Sequence, residues 1–312
     1  MGEFDLIRRF FKRPAGDGVE VGVGDDCAVL VPTPGARWLV SSDMLVEGRH
    51  FLSTVDAARL GHKALAVNLS DLAACGATPR GFTLALALPR VDEAWLAGFA
   101  SGLWALADAS ACPLVGGDTT QGPLNICITV FGEAPPGQAL LRGGARVGDD
   151  IWVSGRLGDA RLALEVFRGT VALGGADFEA ARAAMECPTP RLALGQALRG
   201  IATAALDISD GLLGDLGHIL AASGVGARLD VDALPRSPVL AAQAQAVQRE
   251  CLLAGGDDYE LVFTVPPGVR LPEVGVALTR IGRIEAAPGL RVVDSRGVVI
   301  EHGLRSFDHF KS

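Results

Sequence analysis

The chain has 312 residues, 49 % of them apolar, which suffices for one large or two ordinary domains with substantial cores. Its formal net charge is −8 and it carries no basic run, which speaks against a nucleic-acid partner. The start Met1-Gly2-Glu3-Phe4-Asp5 has neither the basic nor the apolar part of a signal peptide, and no apolar run of about 18 residues follows, so a cytoplasmic protein away from membranes is expected.

In chain order, residues 3–12 read as a short helix, and 27–31 and 37–42 as strands beside acidic loops. The next helix runs from Asp56, a plausible N-cap, to about Cys75, with Gly76 as its stop. Residues 82–88 read as a strand. Residues 92–111 read as an amphipathic helix with Trp95, Phe99, Leu103 and Leu106 at helical spacing, most simply a core stripe. Strands are expected at 113–116 and 125–133, on either side of a Gly-Gly-Asp loop. Ala134-Pro135-Pro136-Gly137 and the glycine-rich stretch to Asp149 punctuate the chain as a domain boundary would. Beyond it come strands at 151–154, 204–208, 227–231 and 259–265, helices near 158–168, 177–186, 190–199, 211–223 and 238–251, and strands joined by turns at 280–301. Both halves mix strands with helices, which predicts α/β-type layers. The six cysteines are scattered without a CxxC pair and read as buried, reduced thiols.

Acidic, glycine-containing segments recur along this frame: Gly24-Asp25-Asp26-Cys27, Ser41-Ser42-Asp43, Gly116-Gly117-Asp118-Thr119-Thr120, Asp207-Ile208-Ser209-Asp210-Gly211 and Gly255-Gly256-Asp257-Asp258-Tyr259-Glu260. None contains a phosphate-binding lysine. Glycine permits sharp turns and close approach of a ligand, and aspartate supplies the hard oxygens that suit Mg²⁺ carrying a polyphosphate. Asn68 and Asp71, three apart in an apolar helix, share a face. A solvent-facing carboxylate is the plainer reading of Asp71; a metal ligand aimed into a cleft is the functional one. Ser209 or Asp210 can cap the following helix, and the N–H groups there favour phosphate. Two carboxylates about 4 Å apart repel by roughly 4 kcal/mol at an effective dielectric near 20. Convergence of Asp26, Asp43, Asp71, Asp118, Asp207 and Asp210 would therefore call for cations. Spacing alone does not establish that convergence. No P-loop, kinase catalytic loop, G-x-S-x-G elbow or H-E-x-x-H occurs. His50 on its own reads as structural more readily than catalytic.

Taken together, Gly24–Ala28, Asn68–Ala77, Gly116–Thr120, Asp207–Leu212 and Gly255–Leu261, with the terminal Ser306-Phe307-Asp308-His309-Phe310, resemble the thiamine-monophosphate kinase family. Single motifs are shared with aminoimidazole ribonucleotide synthetase and selenophosphate synthetase. The resemblance implies an α+β fold of two-domain aminoimidazole ribonucleotide synthetase-like architecture, each domain a mixed sheet packed with helices. Residues 1–136 would form an N-terminal ATP/Mg-binding and dimerisation domain, and 137–312 a C-terminal α+β domain completing the nucleotide and substrate site. It implies ATP- and Mg²⁺-dependent phosphorylation of thiamine monophosphate by a homodimer. Carried over by position, Asp26, Ser41, Ser42, Asp43, Asp71, Asp118, Asp207 and Asp210 are implied metal ligands. Gly117, Asp118, Arg142 and Ser209 are implied nucleotide contacts, and His50, Asp257 and Phe307 substrate contacts. Asp71, Asp210 and Arg142 are the implied catalytic residues. Ser42 stands where threonine is usual, Asp257 where glutamate is common and Phe307 where tyrosine is common. Another ATP-using synthetase of the superfamily, or a non-catalytic Mg²⁺- or nucleotide-binding protein, are the alternatives.

Overall fold

A computed structural model describes residues 2–301, 303, 304 and 306 of the chain. It divides into two compact units, Met1–Leu72 with Ala77–Gly137, and Ala73–Gly76 with Gln138–Ser312.

The first unit opens with α1 (Glu3–Leu6), which widens into a five-residue π-helical turn at Ile7–Phe11. The single helix expected over 3–12 is interrupted because two consecutive rings, Phe10 and Phe11, turn inward. Phe11 meets Phe99 edge-on, and the Trp104 indole N–H donates to the Phe10 carbonyl at 2.9 Å. A two-strand ribbon follows, β1 (Val19–Val21) with β2 (Val29–Leu30). Then come β3 (Arg37–Val46), α2 (Ala57–Ala74), β4 (Thr78–Leu88), α3 (Glu93–Ala109), β5 (Leu114–Gln121) and β6 (Asn125–Ala134). The sheet order is β3-β6-β4-β5, with β4 and β5 parallel and the other pairs antiparallel.

Helix starts follow their caps. Asp56 Oδ1 accepts from the N–H groups of Ala58 and Arg59 at 2.9 and 3.1 Å, and Asp92 Oδ1 from Ala94 and Trp95 at 3.1 Å each. On α3 the buried stripe is Leu96, Phe99, Ala100, Leu103, Trp104 and Ala107. It is rotated from the expected one: Trp95 lies at its margin, stacked on Phe99 with centroids 5.1 Å apart. The α2 and α3 backbones nearly touch, since a Cβ on Gly102 would stand 1.8 Å from the Ala58 carbonyl oxygen and one on Gly61 2.0 Å from that of Phe99. The expected Gly-Gly-Asp loop is instead mid-strand in β5, paired Leu84↔Gly117 and Ala85↔Asp118. Gly117 has φ 145° and no room for a side chain, because a Cβ would lie 1.9 Å from the Leu84 oxygen.

The second unit contains β7 (Asp150–Ser154), α4 (Asp159–Phe167), α5 (Gly175–Glu186), α6 (Leu192–Ala197), β8 (Ala204–Asp207), α7 (Leu212–Ser223), β9 (Gly226–Asp230), α8 (Pro238–Ala241), α9 (Gln245–Ala254), β10 (Leu261–Val265), β11 (Leu278–Glu285) and β12 (Gly289–Val293). Its sheet runs β12-β9-β11-β7-β10-β8, all pairs antiparallel except β12 with β9. Strand alternation divides the core. Val153, Leu206, Val262 and Ile281 pack with Leu216, Ile219 and Leu252 on one side. Ala205, Leu261, Phe263 and Val265 pack with Leu194 and Leu198 on the other. The helix expected over 238–251 breaks in two. Ser237 caps α8, with Pro238 at its first position, and the Gln248 amide donates to the Ala241 and Gln243 carbonyls at the break. Both units thus set a mixed sheet against helices, an α+β fold as expected.

Candidate active site

In the first unit the chemistry lies on β3, α2 and β5. Side chains alternate along β3, so Ser41 and Asp43 are half-buried while Ser42 and Met44 are exposed on the opposite face. Ser41 Oγ donates to Asp71 Oδ2 at 2.5 Å. Asn68, buried on α2, accepts from the Asp43 backbone N–H through Oδ1 at 2.9 Å and donates back to Ala64 O. Asn68 and Asp71 thus use their common helix face to meet alternate residues of β3. Ser42 bonds instead to the Thr129 hydroxyl (2.9 Å) and the Ile128 carbonyl (3.1 Å) on β6. His50 sits in the turn after β3, where Nδ1 accepts from the Val46 N–H at 3.0 Å. That bond leaves Nε2 to carry the proton of a neutral ring.

A cleft of ≈ 580 Å³ lies beside the N-terminal helix, and its wall includes Gly24, Asp25, Asp26, Gly116, Gly117 and Asp118. The Asp26 and Asp118 segments, some ninety residues apart in sequence, therefore border one space. Asp25 Oδ1 accepts from the Asp26 N–H at 2.8 Å and shapes the turn. Lys12 Nζ is 2.8 Å from where a Cβ on Gly24 would stand, so an ammonium group hangs over this acidic loop. Nothing in the sequence around Lys12 signals that placement.

In the second unit the loop after β8 and the loop before β10 are bound together. The Asp257 N–H donates to Ser209 O at 2.9 Å and the Tyr259 N–H to Ile208 O at 2.8 Å. The N–H groups of Ser209, Asp210 and Gly211 all donate to one oxygen, Oδ2 of Asp215, at 3.0, 3.1 and 3.0 Å. The donors expected to be available to phosphate are thus held by a side chain from the first turn of α7. Burial pushes the Asp215 carboxyl up to about 7, and the Asp210 charge adds to it, against the three N–H bonds. Asp207 is buried and Asp210 half-buried. Asp257 and Tyr259 have φ of 65° and 50°, a left-handed backbone that is uncommon for aspartate and rarer for a bulky ring. Glu260, buried, takes a two-pronged contact from Arg191 and the Ser154 hydroxyl. Ser306 Oγ accepts from the Gly214 N–H at 2.7 Å and donates to Gly211 O at 3.3 Å, so the tail returns to the start of α7. Phe307 lies outside the described residues. Arg142 is exposed in the stretch before β7. Asp215 and Tyr259 were not singled out from sequence. Tyr259 stands inside a quoted motif and Asp215 lies three residues beyond one, and the partners of both depend on loop closure.

No three His, Cys, Asp or Glu side chains are grouped to hold a metal ion among the described residues. The donors stand in ones and twos, carboxylate and hydroxyl, as in Ser41 with Asp71. This set fits Mg²⁺, which commonly takes one or two carboxylates and completes its octahedron from phosphate oxygens and water.

The match to known proteins spans both units. The family model described as AIR synthase related protein, N-terminal domain, matches residues 24–134, and that described as AIR synthase related protein, C-terminal domain, matches 146–295. The chain is 46 % identical over 322 residues to the thiamine-monophosphate kinase of Salmonella typhimurium, covering 99 % of this chain and 98 % of that protein. It superposes on the crystal structure of thiamine-monophosphate kinase from Stenotrophomonas maltophilia K279a with a TM-score of 0.85 at 46 % identity, covering 91 % of this chain and 93 % of that one. It superposes on AaThiL complexed with AMPPCP and TMP with a TM-score of 0.80 at 30 % identity, covering 90 % and 89 %. Matched in both domains and along nearly its whole length, the chain belongs to the thiamine-monophosphate kinase family of AIR synthase related proteins.

Proposed function

We propose that the protein transfers the γ-phosphoryl group of ATP to the phosphate of thiamine monophosphate, yielding thiamine diphosphate and ADP. The observation that carries this reading is its likeness, over nine-tenths of the chain, to a relative complexed with the ATP analogue AMPPCP and with TMP. Phosphoryl transfer depends on alignment and charge neutralisation more than on covalent chemistry. The acceptor phosphate is already ionised at neutral pH, since its second pKa lies near 6. Direct in-line attack then needs no strong base. That agrees with motifs that offer carboxylates, hydroxyls and an arginine.

Asp26, Ser41, Ser42, Asp43, Asp71, Asp118, Asp207 and Asp210 are the proposed Mg²⁺ ligands. Ser42 serves through its backbone if it serves on the Asp71 side, because its hydroxyl is on the other face. Bound Mg²⁺ would offset the mutual repulsion of the two phosphate groups. Gly117 leaves backbone uncovered beside Asp118 for the nucleotide, with Ser209 and Arg142 as further contacts and Arg142 neutralising phosphate charge. His50, Asp257 and Phe307 meet the thiamine part. Asp71, Asp210 and Arg142 are the residues whose loss should cost most turnover. The working form is a cytoplasmic homodimer. Among the described residues no helix is long and apolar enough to cross a membrane. On the outer face of β3, Trp38, Val40 and Met44 are 42, 58 and 53 % exposed, an apolar stripe that a second copy would cover.

Incubation with ATP, Mg²⁺ and thiamine monophosphate, followed by chromatography, should give thiamine diphosphate and ADP in equal amounts. ADP without thiamine diphosphate would leave the ATP site and overturn the acceptor. Asp71→Asn should lower turnover at least tenfold at limiting Mg²⁺, with partial recovery as Mg²⁺ is raised. Wild-type turnover at limiting Mg²⁺ would remove Asp71 from the metal ligands.

A further inference from the structure

The chain has a single tyrosine, Tyr259, and it lies in the segment proposed to meet the substrate. Besides Ala111, Asp257 and Tyr259 are the non-glycine residues with positive φ among the described residues. The backbone here is anchored at each step. Asp257 N–H is bound to Ser209 O, Tyr259 N–H to Ile208 O, and the Asp258 carboxylate accepts from the Gly158 N–H at 2.8 Å. These anchors hold the left-handed turn, and the turn brings the Tyr259 hydroxyl to 3.0 Å from Asp257 Oδ1, to which it donates. The ring itself is buried. An aspartate on a loop has several rotamers to choose from, and a fixed donor on a buried ring selects one of them.

We propose that Tyr259 is a positioning residue for substrate recognition, its hydroxyl holding the Asp257 carboxylate in the orientation that receives the cationic thiamine ring system. This rests on the reading that Asp257 meets the substrate. A thiazolium ring is a permanent cation, and a carboxylate already ordered before binding loses less freedom when the two meet. Without the hydroxyl, one fixed constraint on Asp257 is lost and more of its ordering falls to the substrate. The cost appears in substrate affinity more than in the chemical step.

The test compares wild type, Tyr259→Phe, Asp257→Asn and the double variant, using thiamine monophosphate as the varied substrate and then ATP. Phenylalanine keeps the buried ring, and melting temperatures check that each variant folds. Tyr259→Phe should raise KM for thiamine monophosphate about fivefold, the net worth of one typical hydrogen bond, with a smaller fall in kcat and KM for ATP within about twofold. Added to Asp257→Asn, the same change should do nothing further to KM. A wild-type KM in Tyr259→Phe while Asp257→Asn raises it would overturn the positioning role and leave the substrate reading standing. An equal rise in KM on both backgrounds would mean that Tyr259 acts independently of Asp257, which overturns it as well. A wild-type KM in Asp257→Asn would remove the reading beneath it and the proposal with it.

Discussion

Asp258 accepts from the Gly158 N–H through one carboxylate oxygen, while the other is buried and has no partner among the described residues. Burial pushes its pKa well above the usual 3.8, and the charges of Glu260, Asp159 and Asp257 push the same way. The folded chain therefore keeps a proton that the unfolded chain gives up above pH ~4, so this residue's stabilisation is complete below that pH and is lost as pH rises toward the raised folded value. Asp258→Asn keeps an acceptor for Gly158 and removes the charge. It should melt higher than wild type at pH 8, by on the order of 1 kcal/mol in stability, and its melting temperature should change less between pH 5 and 8. Scanning calorimetry at the two pH values decides it, and a steeper pH dependence in the variant would contradict the assignment. At this scale the sequence told which residues are carboxylates and hydroxyls. It did not tell that Ser41 faces Asp71 while Ser42 faces Thr129, because adjacent strand positions point to opposite faces and only the sheet decides which face is which. Nor did it tell that Asp215 takes the three N–H groups after β8, since a turn must close before its donors find an acceptor.

Helices were the most legible elements, and their caps explain why. Asp56 and Asp92 mark their helix starts with local hydrogen bonds that need nothing from the rest of the fold. The crossing of α2 and α3 was not legible. It depends on Gly61 and Gly102 meeting facing carbonyls, and a helical glycine looks the same in sequence whether its partner is a backbone or water. Gly102→Ala should push the helices apart and cost about 1–3 kcal/mol. Gly217→Ala in α7, where a Cβ would meet nothing within 4 Å, should add up to about 1 kcal/mol from helix propensity. Melting curves of the two variants should therefore move in opposite directions, and equal shifts would refute the close crossing. The β5 segment shows the converse difficulty. Gly116-Gly117-Asp118 has turn composition, yet parallel pairing with β4 makes it a strand, because tertiary pairing outweighs weak local preference.

For the molecule as a whole, two outcomes follow. If the outer face of β3 is covered by a second copy, Val40→Asp places a charge in that interface. Light scattering should then show the variant shifted from dimer to monomer, and an unchanged mass would move the interface elsewhere. AMPPCP should raise the melting temperature only when Mg²⁺ is present, by about 2.7 kcal/mol of stability at a hundredfold excess over Kd. Stabilisation without Mg²⁺ would detach the nucleotide from the acidic residues. The sequence by itself determined most element types, through apolar period and capping residues, and through its ordered motifs the resemblance to the family and the α+β class that this resemblance implies, because all of these are local properties of the chain. Only the tertiary structure decided that the Gly-Gly-Asp segment is a strand, that Asp26 and Asp118 border one cleft, and that Tyr259 reaches Asp257. Each of these depends on contacts set by sheet register or loop closure, and no local pattern encodes them.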